Sequence, residues 1–409
     1  MKILMVTPMP PQSQAPGAIP LVLQAELDGL MPWHDITLVT VAGGEPGEQE
    51  AIEHLYAMGL DVWTVQRFQP GSLQRWRRRW QLASTWLRGR YPWRTVWFWE
   101  AEVQRILDRL LAEKVFDLIL VEDNAMGVYN YRTKAPLLFT EHEVRRPRAV
   151  NWTSLRKTDP LHWVLNEADW ARWPRYQRTI WRRFDRIQTF SKRDADAIGV
   201  IAPDLANRVR VNPFGISLPI LSASEQQEPG SLLFVGNFTH EPNVDAAVWL
   251  GKEIMPLIRE CYPGVRLTLV GIYPPPDVRV LACDDIRVTG PVPEIEPYFG
   301  RAALVLAPVR IGGGMRMKVL QAMALGKAVV TTSRGADGLA IDGCQPPLVI
   351  SEDAQGFASA VAQLLANDDA RQELGSRARA YVTAHFSAQS YASRLEVIYA
   401  EMQAGRRKV

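Results

Sequence analysis

Apolar residues along the chain fall into short continuous runs separated by segments of helical spacing. Lys2–Thr7 (KILMVT) is apolar throughout its middle, as in a strand buried on both faces of a parallel sheet. Ile36–Val41, Asp61–Val65, Asp117–Val121, Pro136–Thr140 and Arg186–Phe190 repeat the pattern. Helical segments lie between them. One is Ala101–Lys114, which sets Val103, Ile106, Leu110 and Leu111 on a shared face. The polar stretch EQQEPGS breaks the series and predicts a hinge near residues 215–230. A second series follows, with strands expected at Leu232–Val235, Arg266–Val270, Ile286–Thr289, Ala303–Ala307 and Ala328–Thr332.

Strands alternating with helices imply parallel sheets joined by right-handed crossovers. The reading is an α/β chain of two facing Rossmann-like domains with parallel sheets and a cleft between them. Ligands of such sheets bind beyond the carboxyl ends of the strands, so the cleft is the expected site. The domains expected are 1–215, 216–385, and a C-terminal helix over 386–409 that returns to the first domain.

A length of 409 residues exceeds one ordinary core and agrees with two domains. With 47% hydrophobic and 22% charged residues, the composition is that of a folded soluble protein. A net charge of +3 does not argue for nucleic acid. Cys261, Cys283 and Cys344 are scattered, lack metal-ligand spacing and point to a reducing compartment, so a cytoplasmic location is expected. Pro8, Pro10 and Pro11 cut the first apolar run too early for a signal peptide. No run reaches the ~18 apolar residues of a membrane span.

The chemistry concentrates in RIGGGMRMKVLQAMALGKAVV, from Arg310 to Val330. Gly312, Gly313 and Gly314 follow an expected strand and open a helix. A helix start offers free N–H groups and a positive dipole end, which favour an anion, and glycine lets a phosphate approach the backbone. Arg316 and Lys318 add two full charges, roughly 160° apart on a helical wheel, so both reach one diphosphate only ahead of the helix end. Met317, Leu320 and Ala324 form the expected inward stripe; Gly314, Lys318 and Gln321 form its neighbour. The loop lacks the Gly-Lys-Ser/Thr ending of a nucleoside-triphosphate loop, and no G-x-G-x-x-G follows the first strand. No acidic pair of the second series stands at a strand end as a metal site there requires. Asp284–Asp285 and Asp368–Asp369 read as structural. A diphosphate site without metal is the simplest reading.

The ordered set FVGNFTHEPNVDAAVWL, LTLVGIYPPPDVRVLA and IRVTGPVPEIEPYFGRAALVLAPVRIGGGMRMKVLQAMALGKAVVTTSRGADGL resembles the donor domain of retaining, family-4-like glycosyltransferases with the GT-B fold (glycosyl transferases group 1). The resemblance is dense over roughly residues 230–340. It is weaker over MKILMVTPMPP, FDLILVED and PLLFTEHEV. It implies a nucleotide-sugar donor on the second domain, a glycan or lipid-linked acceptor on the first, no metal or other cofactor, and retention at the anomeric carbon. The implied activity is hexosyl transfer in cell-surface polysaccharide or glycolipid synthesis.

The family's donor helix carries two glutamates eight positions apart; here those positions hold Gly313 and Gln321. Gln321 keeps a hydrogen-bonding group without charge, and Gly313 only backbone. The family's basic pair after the first strand of this domain is also absent. Gly236 and Asn237 stand there, and Arg316 and Lys318 read as the replacement. A subgroup of the family shows a similar Gly-Gly-Gly-x-Arg-x-Lys loop, in which Met315 is the first of two variable positions. The resemblance places His142 against the donor sugar and Gly17 in the loop that admits acceptor and donor phosphate. It places Val292 by the base. Glu122 or Asp123 stands at another strand end, where either orients an acceptor hydroxyl or, for Asp123, caps a helix.

Val62 to Trp99 contains eight arginines and seven tryptophans with no lysine or acidic residue. Such a segment suits the headgroup boundary of an anionic membrane, so peripheral attachment to the inner face is expected. The alternative is a basic surface helix with its tryptophans in the core. Nucleic acid is not expected, since no nucleic-acid motif accompanies the arginines. Two further readings of the whole chain remain: a same-fold epimerase, for which no acid/base set is found, and a catalytically silent GT-B module that binds nucleotide sugar or glycan. The missing glutamates favour the second of these.

Overall fold

The computed structural model describes residues 1–13, 15, 17–43, 47–67, 72–89, 91–145, 160–219, 227–312, 316–341 and 343–406, with 72–79, 160–163 and 405–406 as backbone alone. Its two parallel sheets follow the apolar runs closely. The first holds β1 (Lys2–Thr7), β2 (Asp35–Ala42), β3 (Asp61–Gln66), β4 (Leu118–Glu122), β5 (Leu137–Glu141), β6 (Arg186–Thr189) and β7 (Val209–Val211). Their order is β3-β2-β1-β4-β5-β6-β7. The second holds β8 (Ser231–Val235), β9 (Arg266–Val270), β10 (Ile286–Gly290), β11 (Leu304–Ala307), β12 (Ala328–Thr331) and β13 (Val349–Ile350), in the order β10-β9-β8-β11-β12-β13. These are two Rossmann-like sheets, and the α/β reading holds.

Burial on both faces explains the continuous runs. Ile3, Leu4, Met5 and Val6 of β1 are all inaccessible, because β1 lies between β2 and β4 and helices cover the sheet. The helix Ala101–Glu113 buries Val103, Leu107 and Leu110, with Ile106 and Leu111 at the margin. β7 and β13 were not expected. They are edge strands of three and two residues, too short for an apolar run to register.

The chain divides into two compact units, Met1–Gln14 with Leu27–Asn212 and Ser393–Val409, and Ala15–Glu26 with Pro213–Ala392. Ala15–Glu26, inside the expected 1–215 domain, therefore groups with the second unit, where the Tyr391 hydroxyl donates to Glu26 at 3.0 Å. The last helix, Ala388–Arg406, is tied to the first unit from Ser393 onward. Arg394 donates to Asn212 at 2.8 Å, and Arg210 pairs with Glu401 at 2.8 Å. No helix among the described residues is long and apolar enough to cross a membrane.

Candidate functional site

In each sheet the strand order reverses once, between β1 and β4 and between β8 and β11. Loops that leave neighbouring strands in opposite directions open a crevice at the carboxyl ends. In the second unit the loops at this point are Gly236–His240 after β8 and Pro308–Gly312 after β11, the two segments singled out by sequence.

The cations of the second loop divide by partner. Arg310 forms a two-bond pair with Asp245, at 2.7 and 3.1 Å, and lies 4.6 Å over the Trp249 ring. It is a structural clamp. Lys318 is half-buried near the start of the helix Met317–Ala324 and reaches across to the β8 side. Its Nζ donates to Asn243 Oδ1 at 2.5 Å and sits 4.4 Å from the centre of the Phe234 ring. Both partners are neutral, and among the described residues no carboxylate pairs with Lys318. Burial, then the charge of Arg316, pushes the Lys318 ammonium down to about 7. A positive site this strained favours an anion.

The turn after β8 is built tightly around these groups. Asn237 Oδ1 accepts from Thr239 N and Oγ1 at 3.0 and 2.7 Å, and its carbonyl accepts from Asn243 Nδ2 at 2.7 Å. The Asn237 side chain thus holds its own turn, and Asn243, not singled out by sequence, links that turn to Lys318. A Cβ on Gly236 would stand 3.1 Å from Asn243, and one on Gly271 would stand 1.7 Å from the Gly236 carbonyl. Gly312 has φ +92, and a Cβ there would meet Pro242 at 2.6 Å. Both close approach and left-handed backbone require glycine.

Gln321 is half-buried one turn beyond Lys318, on the same stripe. The inward face of this helix is Val319, Leu320, Ala322, Met323 and Ala324; Met317, expected inward, is only half-buried because it stands at the helix start. Val292 follows β10, two strands from β8, or roughly 10 Å at the usual strand spacing. Gly313, Gly314 and Met315 lie outside the described residues. Asp285 is committed to Arg259 at 2.5 and 2.8 Å, and Asp368 and Asp369 begin a helix, so both acidic pairs are structural. Among the described residues no three His, Cys, Asp or Glu side chains are grouped to hold a metal ion.

In the first unit, β4 and β5 are neighbours in register, with Glu122 opposite Thr140. Their carboxyl ends bring His142 to Glu122, Nε2 to Oε2 at 2.7 Å. The imidazole stands edge-on to Phe190, 5.0 Å between ring centres. Glu122 is inaccessible. Burial, with the charge of Asp123 assisting and Thr140 opposing, pushes its carboxyl up to about 8. Asp123 goes the other way. Burial raises it, but Arg94 at 3.1 Å, His142 and the Ala125 amide more than offset this and hold it below the usual carboxylate range. Its φ is +71, uncommon for a residue with a Cβ. A third carboxyl, Glu141, accepts from Trp181 Nε1 at 2.9 Å and is held well above the usual range by burial. Burial thus holds two of these three neighbouring carboxyls up while the charges around Asp123 hold the third down, a contrast common where proton position matters. Gly17 is half-buried at the start of the helix Ala18–Leu30 and groups with the second unit.

Residues 229–367 match the family model Glycosyl transferases group 1. The group 1 match includes Gly236, Asn237, Asn243, Gly312, Arg316, Lys318 and Gln321. Among curated proteins, the chain is 23% identical over 289 residues to glycogen synthase of Mycobacterium tuberculosis, covering 67% of this chain and 65% of that protein. The aligned stretch therefore spans just under two thirds of that relative. It is 26% identical over 258 residues to the lipopolysaccharide core biosynthesis mannosyltransferase LpcC of Rhizobium leguminosarum bv. viciae, covering 59% and 71%. Among solved structures, Anabaena HepE, in complex with UDP and glucose, superposes with a TM-score of 0.65 at 16% identity, covering 98% of this chain and 100% of that one. Sucrose-phosphate synthase from Thermosynechococcus elongatus superposes with a TM-score of 0.63 at 17% identity, covering 99% and 100%. The fold is that of GT-B glycosyltransferases.

Proposed function

We propose that the chain is a glycosyltransferase that moves a hexosyl group from a nucleotide sugar to a glycan or lipid-linked acceptor. In this reading the donor diphosphate lies at the reversal point of the second sheet, against Arg316 and Lys318. The observation that carries it is the half-buried Lys318, whose partners among the described residues are neutral, beside Arg316 and inside the group 1 match. The relatives named for sugar transfer and the UDP and glucose bound to HepE support the same class of ligand.

The chemistry follows from charge. The bond between the anomeric carbon and the phosphate oxygen breaks, and the bond to the acceptor oxygen forms. The acceptor proton passes to the departing phosphate. Negative charge grows on the diphosphate in the transition state, where two fixed cations and the helix dipole stabilise it. Departure and attack on one face give retention. These cations supply the positive charge that a metal would otherwise bring, so the reaction is proposed to be metal-independent. His142, fixed by Glu122, is proposed to contact the donor sugar. The location proposed is cytoplasmic, and the product a cell-surface polysaccharide or glycolipid.

A second reading rests on Gly313 and Gln321 at the positions of the family's glutamates. It is a silent module that binds nucleotide sugar without turnover. Incubation with a panel of nucleotide sugars separates the two. Release of free nucleoside diphosphate supports the transferase; binding with no release from any donor supports the module.

A further inference from the structure

We infer that the first unit presents a tryptophan-and-arginine face that docks on an anionic membrane. The inference is independent of the glycosyl-transfer reading, because it rests on exposure and charge.

Of the tryptophans of Val62 to Trp99, those whose side chains are described divide sharply. Trp63 and Trp86 are turned into the protein. Trp63 Nε1 donates to Asp61 at 3.0 Å, and Trp86 Nε1 donates to Asp169 at 2.6 Å with Arg172 stacked 3.9 Å from its ring. Trp80, Trp93, Trp97 and Trp99 are turned out, with 63%, 41%, 44% and 45% of their surface exposed. Leu87 is 70% exposed. Trp80 and Leu87 stand seven positions apart in the helix Ser72–Leu87 and so share one face, while Leu82 is buried on another. The Trp93 and Trp97 rings lie 6.2 Å apart, one helical turn from each other.

The same anchor joins the two helices. Asp169 Oδ1 accepts both from Trp86 Nε1 and from the Trp93 amide, each at 2.6 Å. The exposed end of one helix at Leu87 and the exposed start of the next at Trp93 are thereby held together. Four large aromatic side chains and a leucine on adjoining helices exceed the scattered apolar exposure of an ordinary surface.

Charge selects the occupant. Arg67 and Arg94 are spent inside the unit, Arg67 4.4 Å from the Phe98 ring and Arg94 on Asp123. Arg88 is exposed, and the helix that bears Trp80 and Leu87 also carries Arg75, Arg77, Arg78 and Arg79 with no acidic residue. A protein partner of such a face would need an acidic and apolar surface together. A bilayer with anionic headgroups supplies both at once: tryptophan rings settle at the headgroup level, and arginines meet phosphates. Each basic residue near such a surface raises partitioning about fivefold.

The test uses the whole protein with vesicles of phosphatidylcholine alone, or with added phosphatidylglycerol. Sedimentation is measured at low and high salt, and tryptophan fluorescence with brominated lipid. Two variants are compared, Trp80→Ser/Leu87→Ser/Trp97→Ser and Arg75→Gln/Arg77→Gln/Arg78→Gln/Arg79→Gln. Expected are binding to the anionic vesicles alone, loss of at least about tenfold in either variant, and quenching by brominated lipid. Quenching in the wild type decides the matter if a variant fails to fold. No sedimentation with anionic vesicles at low salt overturns the inference. So does binding that persists in the first variant without quenching. A lipid-free dimer of the wild type that the first variant abolishes assigns the face to a second copy and overturns it equally.

Discussion

His142 and Glu122, twenty residues apart in sequence, meet through Nε2 and Oε2 at 2.7 Å at the carboxyl ends of two neighbouring strands. Glu122 has no access to solvent, so its role toward a ligand runs through the imidazole. Glu122→Ala should remove the bond that fixes Nε2 of His142, loosen the ring and lower kcat up to about 100-fold, the scale of a misplaced reacting group. Glu122→Gln keeps a hydrogen-bonding group and should recover most of it. Steady-state kinetics of both variants against wild type checks the order.

The same carboxyl predicts a pH dependence of stability. Its pKa is raised from 4.5 to about 8. Between those values the folded state holds a proton that the unfolded state has lost, so this group's contribution falls as pH rises through the window. Glu122→Gln removes the titration. The melting temperature of the variant should gain on that of wild type from pH 5 to 8, as scanning calorimetry would read.

Lys318 gives the opposite sign. Its ammonium is pushed down to about 7, so above that pH the free protein holds it partly neutral. A bound diphosphate restores the charge, which requires proton uptake. At pH 8, UDP binding measured in buffers of different ionisation enthalpy should show uptake of a fraction of a proton, and Lys318→Met should abolish it.

How much of this could be read in the sequence depends on distance along the chain. β1 and β9 were expected at their observed bounds because a strand buried on both faces writes itself as one apolar run. β7 and β13 left no such mark. Gly312, Arg316 and Lys318 stand out in the sequence because they lie close together. Asn243 does not, although it lies 75 positions from Lys318 and holds it, because only the neighbouring of β8 and β11 brings them together. The pairing of Arg94 with Asp123 was hidden for the same reason. A run of arginines with no acidic neighbour in sequence still found one across the fold.

Turnover should survive chelation. If Arg316 and Lys318 neutralise the departing diphosphate, excess EDTA leaves the rate of nucleoside diphosphate release unchanged. Loss of activity that magnesium or manganese restores would assign that charge to a metal.

Gly271→Ala should destabilise the second unit, because the new Cβ falls 1.7 Å from the Gly236 carbonyl and backbone must move. A cost of about 1–3 kcal/mol is expected in urea unfolding. The displaced turn carries Asn237, whose carbonyl accepts from Asn243, the partner of Lys318, so UDP affinity should fall as well. Gly312→Ala, strained at φ +92 and close to Pro242, should weaken UDP with a smaller loss of stability.

The most direct measurement is calorimetry of UDP and GDP with wild type and with Arg316→Ala/Lys318→Ala. Charge-assisted hydrogen bonds contribute about 1.5–3 kcal/mol each, so the double variant should bind the preferred nucleotide weaker by several kcal/mol while remaining folded. Equal affinity in the two proteins would contradict the placement of the donor diphosphate at these two cations.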